Sequence, residues 1–256
     1  MRSFIGHVAG QDTLGTLNLV RFHTPELVPL LQPGHFVLVR LLPTWDPYMR
    51  VPLFPVAIGH TTWQTYIPAE TSFALDLLAR MPAGTPVQLW GPYGTPFPSL
   101  QGSHNVLIVA QELYVPYALG LMQRHSREGN VVLLVERTGA ALPEDLGWVP
   151  PAVEVYTVAA ETGALEEKLE TLEPWADHLF FVGPRHWPYY FAHWLEEHKM
   201  RLEPGVAYAL ISDGITCGLG LCDTCLLETE RGWTRACRKG PVFDLAEWFA
   251  HRRRGA

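Results

Sequence analysis

Apolar residues change their spacing along this chain near residue 98. Before that point they fall in short β-branched or aromatic runs separated by turn formers. Phe36–Leu42 is entered through Pro33-Gly34, Val56–Gly59 and Thr61–Ile67 are spaced as a hairpin, and Pro86–Trp90 forms a further run. Strands at this spacing predict an antiparallel barrel or sandwich. One helix is predicted among them, Ser72–Arg80, where Phe73, Leu77 and Leu78 recur at helical spacing before Pro82-Ala83-Gly84.

From Asn105 onward, continuous apolar runs alternate with helical patterns. Val106–Ala110, Asn130–Val135, Val153–Val158, His178–Val182 and Val206–Leu210 read as buried strands. Val115–His125, Ala164–Leu172 and Trp187–His198 read as helices between them. That alternation predicts a doubly wound parallel α/β domain. The turn-rich stretch Gly91–Pro98 marks the boundary, so the expected division is 1–98, 99–210 and a C-terminal segment 211–256 ending in a short helix around Leu245–Phe249.

Composition narrows the classes. The chain has 256 residues, 48% hydrophobic and 18% charged, which suits two folded domains with an appendage and excludes general disorder. A formal net charge of −7 argues against nucleic-acid binding. No apolar stretch approaches the ~20 residues needed to span a bilayer. Met1–His7 lacks the apolar core of a signal peptide, so a cytoplasmic protein is expected. Arg252–Arg254 reads as a solvated tail.

The four cysteines carry the chemistry. Cys217, Cys222, Cys225 and Cys237 all lie in the last fifth of the chain, spaced C-x4-C-x2-C-x11-C. Such a cluster is a metal site sooner than a disulfide framework. Thiolates suit both iron–sulfur clusters and zinc. The spacing is of the plant-type [2Fe–2S] kind, whereas structural zinc usually shows two C-x2-C-like pairs and only Cys222/Cys225 makes one here. Gly218 and Gly220 stand where a loop wrapping a metal needs positive φ and close backbone approach. Their N–H groups are expected to face sulfur. Trp233 is expected to shield the centre from water.

Cys217–Cys225 followed by Ala236-Cys237-Arg238-Lys239-Gly240-Pro241-Val242-Phe243 resembles C-G-x-G-x-C-x-x-C and C-x-x-G-P-V-F of the electron transfer subunit of bacterial class 1B dihydroorotate dehydrogenase, in the ferredoxin reductase-like group. Pro33–Val37, Gly91-Pro92-Tyr93-Gly94 and Gly183-Pro184-Arg185 are similar to that family's P-G-Q-F, G-P-L-G and C-G-P. The resemblance covers nearly the whole chain. It implies a flavin-type β-barrel, a nicotinamide-type α/β domain and a C-terminal [2Fe–2S] lobe whose ligands are the four cysteines. It further implies FAD, NAD and an FMN-containing catalytic partner in a hetero-oligomer, passing electrons from dihydroorotate oxidation in pyrimidine biosynthesis. The flavin would lie at Arg50, Pro52, Leu53, Phe54, Thr71 and Ser72, with Gly91 and Tyr93 as further cofactor contacts.

Three stretches depart from the family pattern. Arg50-Val51-Pro52-Leu53-Phe54 replaces R-P-[hydrophobic]-S, leaving Arg50 one position early and Phe54 without a hydroxyl. Glu70-Thr71-Ser72 replaces a glycine-threonine turn, and Thr71 or Ser72 also reads as an ordinary helix cap. Ala110-Gln111-Glu112-Leu113-Tyr114-Val115 replaces the glycine-rich G-G-G-x-G-V turn against which a dinucleotide would lie. Two alternatives therefore stand beside an electron-transfer subunit. One is a relative that keeps the cluster but has lost FAD and NAD; the other is a zinc-stabilised interaction scaffold. The histidines, His193 and His198 among them, form no metal motif and are expected to pack or face solvent.

Overall fold

The computed structural model describes residues 2–14, 17–42, 50–68, 73–100, 102, 104–139, 146, 148–198 and 202–250. Thr71, Ser72 and Arg252–Arg254 therefore lie outside the described residues.

The first part of the chain forms β1 (Ser3–Leu14), β2 (Leu17–His23), β3 (Phe36–Leu41), β4 (Val51–Leu53), β5 (Ala57–Ile58), β6 (Thr62–Pro68), helix α1 (Phe73–Ala79) and β7 (Pro86–Tyr93). These strands make one seven-stranded sheet in the order β4-β3-β7-β1-β2-β6-β5, antiparallel at every pairing. The sheet encloses its own core of Val20, Phe22, Val37, Trp63 and Leu89, closed at one side by Leu78 of α1. The expected hairpin is β5–β6. The two long strands β1 and β2 had no counterpart in the sequence reading. Glycines and polar residues interrupt them, so their alternation is weak, and pairing to β7 and β6 builds them.

The second part contains β8 (Asn105–Gln111), α2 (Leu119–His125), β9 (Asn130–Arg137), β10 (Val153–Ala159), α3 (Ala164–Leu172), β11 (His178–Val182), α4 (Trp187–His198) and β12 (Ala207–Leu210). The five strands lie parallel in the order β10-β9-β8-β11-β12, the doubly wound arrangement expected. The helix expected over Val115–His125 is shorter. Residues Glu112–Ala118 form a 3-10 segment instead, with Pro116 inside it, and α2 begins only at Leu119. The strand order puts the topological switch between β8 and β11, with the exits of β8, β11 and β12 at one carboxyl edge.

The C-terminal segment adds β13 (Leu226–Leu227), β14 (Thr234–Arg235), α5 (Ala236–Lys239), β15 (Val242–Asp244) and α6 (Leu245–Trp248). β13 and β14 pair as a small hairpin. β15 adds to the large sheet as an antiparallel edge strand on β12, aligning Leu210 with Val242. The stretch Gly91–Pro98 is held against this segment: the Thr95 amide donates to Gly240 O at 2.6 Å. Asp244 caps α6, accepting from the Glu247 amide at 3.2 Å. Among the described residues no helix is long and apolar enough to cross a membrane.

Candidate functional site

The cysteine loop is built on left-handed backbone. Gly218, Gly220 and Asp223 take φ of 65°, 76° and 56°, so the chain turns three times within nine residues. At Gly218 a side chain is also sterically excluded: a methyl group there would lie 2.9 Å from Leu38 Cδ1 and 3.0 Å from Phe36 Cε2. The loop thereby sits flush on β3. Asp223, the one described non-glycine residue at positive φ, forms an ion pair with Arg235 on β14.

That wrapping points N–H groups at sulfur, as expected. Leu219 and Leu221 each donate to Cys217 Sγ at 3.4 Å. Burial alone would raise the Cys217 thiol. The amides of Leu221, Leu219 and Cys222, together with the Cys222 thiol, outweigh burial and bring its pKa down to about 6. The neighbouring Cys222 thiol lies 3.0 Å from Thr224 Oγ1, and Thr224 Oγ1 donates to Gly214 O at 2.7 Å. On the inner side, β14 runs directly into α5 and carries Cys237 to the Cys225 thiol. Burial and Cys225 push the Cys237 thiol up, against a hydrogen bond from the Gly220 amide.

The four sulfurs thus come together in twos, Cys217 with Cys222 and Cys225 with Cys237, and Cys217 in turn acts electrostatically on Cys237. Among the described residues no three His, Cys, Asp or Glu side chains are grouped to hold a single metal ion. Cys225 and Cys237 are buried, Cys217 is half-buried and Cys222 is exposed. Trp233 is 67% exposed, so it does not provide the shield the sequence suggested; Leu221, inside the loop, is 79% exposed.

Sequence reasoning missed the support beneath this loop. Arg185 Nη1 donates to Thr224 O at 3.0 Å and its Nη2 to Leu226 O, gripping the carbonyls on either side of Cys225. Its own amide donates to Asp213 Oδ2 at 3.1 Å. Asp213 also accepts from Tyr114 Oη at 2.9 Å. The sequence signal for this network was the Gly183-Pro184-Arg185 landmark.

The expected flavin residues are brought together only in part. Register pairs Pro52 with Leu38 and Leu53 with Val37, placing both on the β3–β4 ladder. Arg50 sits over Trp90, its Cζ 3.1 Å from the ring centroid, and donates to Gln88 Oε1 at 2.9 Å. Phe54 is buried between Phe36 and Tyr117, at centroid distances of 5.8 and 5.4 Å. The cavity that Pro52, Leu53 and Phe54 line with Thr65, Tyr66 and Tyr117 is about 40 Å³. Gly91 and Tyr93 line a different cleft of about 420 Å³, shared with Arg2 and Leu30.

At the exit of β8, Glu112 is 1% exposed. Its Oε2 accepts from the amides of Thr138 and Gly139, each at 2.9 Å, and from Thr138 Oγ1 at 3.2 Å. Arg137 approaches the other oxygen at 3.5 Å. Beside it, Gln111 Nε2 donates to Glu136 at 2.9 Å. Burial first, then the Asp213 charge and hydrogen bond, push the Tyr114 phenol well above its usual range; burial and Asp213 raise Tyr117 to about 12.

The model of the iron–sulfur cluster binding domain of dihydroorotate dehydrogenase B matches residues 214–248. The match covers all four cysteines and β15. Over its wider length the chain resembles electron transfer subunits of dihydroorotate dehydrogenase B (NAD(+)). The Bacillus caldolyticus protein is 26% identical over 254 residues, spanning 92% of this chain and 96% of the relative. The Shouchella clausii protein is 26% identical, spanning 87% and 88%. Among solved structures, a chain of the NADH-dependent reduced ferredoxin-NADP oxidoreductase superposes with a TM-score of 0.76 at 17% identity, covering 95% of this chain and 89% of that one. The ferredoxin reductase of carbazole 1,9a-dioxygenase superposes at 0.62 and 17% identity, covering 77% and 64%. These likenesses establish the ferredoxin reductase-like fold around the cluster-binding domain.

Proposed function

We propose that this chain is the electron-transfer subunit of a dihydroorotate dehydrogenase-like complex in pyrimidine biosynthesis, with Cys217, Cys222, Cys225 and Cys237 as ligands of a [2Fe–2S] cluster. The observation that carries the proposal is the pairwise meeting of four thiols inside a matched iron–sulfur domain. Two thiol pairs suit a two-iron centre better than a lone tetrahedral ion. When bound, such a cluster supplies one-electron transfer. The chain's own part is to hold Cys217 ready as thiolate, to aim the amides of Leu219, Leu221 and Gly220 at sulfur, and to keep Cys225 and Cys237 dry. Leu221, inside the loop, and Trp233, beside β14, are both exposed apolar side chains, which supports an FMN-containing catalytic subunit docking on this segment; a cytoplasmic hetero-oligomer is part of the same proposal.

FAD is a separate matter. Phe54 and Tyr117 fill the space beside Pro52 and Leu53, and about 40 Å³ remains. Ligand pockets run from about 300 Å³ upward. The space beside Pro52 and Leu53, with Phe54 and Tyr117 as placed, is too small for an isoalloxazine ring, whereas the cleft at Gly91 and Tyr93 is about 420 Å³; no step is routed through a flavin.

The test is iron and acid-labile sulfide analysis of anaerobically purified protein, with a visible spectrum before and after dithionite. About two irons and two sulfides per chain, with absorbance bleached on reduction, are expected. Stoichiometric zinc without sulfide would overturn the proposal. Flavin extraction from the same sample settles FAD: one per chain would require Phe54 and Tyr117 to swing aside.

A further inference from the structure

In a doubly wound sheet, a dinucleotide binds in the crevice outside the carboxyl ends of the strands, at the switch point, with its phosphates against backbone N–H groups. Here that crevice lies over β8, β9 and β11, and three observations bear on it. The amides of Thr138 and Gly139, two successive donors at the exit of β9, are taken by the Glu112 carboxylate. A carboxylate bonded this way makes the contacts a phosphate oxygen would make. Across the switch, Tyr114 from the β8 exit and the Arg185 amide from the β11 exit both bond to Asp213 beyond β12. The segment between is a 3-10 turn with Val115, Pro116 and Ala118 buried, where a nucleotide needs glycine backbone it can lie against.

We infer that this crevice is occupied by the chain's own side chains, Glu112 standing in for phosphate and the Tyr114–Asp213–Arg185 bridge closing the switch point, so that no nicotinamide dinucleotide binds there. An incoming diphosphate would displace a buried, ion-paired carboxylate and meet Glu112, Glu136 and Asp213 as like charges. The inference rests on the α/β sheet alone and holds whether or not the cysteines carry a cluster.

The experiment titrates the full chain, with its metal, with NADH, following nicotinamide fluorescence and thermal unfolding. No saturable binding is expected, with any affinity weaker than about 1 mM, and no rise in Tm. Saturable binding below about 100 μM would overturn the inference. A Glu112→Ala variant reads the other half: its Tm should fall by roughly 5–10 °C, because the buried amides lose their acceptor. An unchanged Tm would show that the carboxylate does not hold the turn, and would equally overturn it. If the variant does not fold, the titration of the unaltered chain decides. Visible absorbance recorded on the same samples reports the cluster independently.

Discussion

The exits of β8 and β12 leave the same edge of one sheet, and the chain has treated them in opposite ways. Beyond β12 the cysteine loop turns on left-handed glycines and leaves Leu221 in solvent, and its amides face sulfur. Beyond β8 the turn has no glycine, and its carboxylate, phenol and neighbouring amides are already bonded to one another. One exit is shaped to receive a foreign group. The other has been completed from within. Shared architecture therefore does not make both sites alike, because function resides in the local donors and acceptors.

The sharpest way to break this contrast is to remove a buried thiol. Cys225→Ser should abolish nearly all bound iron, sulfide and visible absorbance, since a hydroxyl is a poor substitute for a soft thiolate. Its far-UV circular dichroism should remain close to that of the unaltered chain. Next in size, Glu112→Ala should cost about 2–4 kcal/mol of unfolding free energy by denaturant titration, from two stranded amides and the loss of the ion pair to Arg137. The same substitution should leave the cluster spectrum unchanged. If both the spectrum and the stability moved together, the two exits would not be independent.

Acid separates them further. His125, on α2, is buried against Phe180, and its Nε2 has no hydrogen-bond partner among the described residues. Burial first, then the nearby Arg124, His178 and His104, lower its pKa to about 4. The unfolded ring takes up its proton near 6.5, the folded ring only near 4, so between those values the unfolded state binds more protons. Stability is full above pH 6.5 and falls as the pH drops toward 4. After discounting for partial solvent access, the loss should be about 2 kcal/mol, and His125→Phe should flatten it. Smallest of all, Gly218→Ala should destabilise by about 1–2 kcal/mol through positive φ and contact with Leu38 and Phe36. It should release iron to a chelator faster while leaving the Glu112 turn intact.

Much of this contrast was readable in the sequence because it concerned spacing and glycine. The C-x4-C-x2-C-x11-C run required a tight loop, and Gly218 and Gly220 take the backbone conformation that loop demanded. The alternating runs after Asn105 became parallel strands since continuous apolar segments have only a buried sheet to enter. What escaped was tertiary. β1 and β2 gain their form from partners far along the chain, and Pro116 converted an expected helix into a 3-10 turn. Glu112 could be seen as an intruding charge, but not as one bonded to Thr138 and Gly139, because those donors lie 26 and 27 residues away. Arg185 beneath Cys225 was hidden for the same reason, at separations of 39 and 41 residues.

The pairing of β15 with β12 has a consequence for when the metal arrives. Both ends of the sulfur-bearing segment are sewn into a sheet, and its Ile215, Leu227 and Ala236 pack into the same apolar core, so the entropic cost of closing that loop is met by polypeptide folding. Unlike a zinc finger, which collapses around its ion, this scaffold can be finished first and metallated afterwards, its cradle waiting as a late stop in maturation.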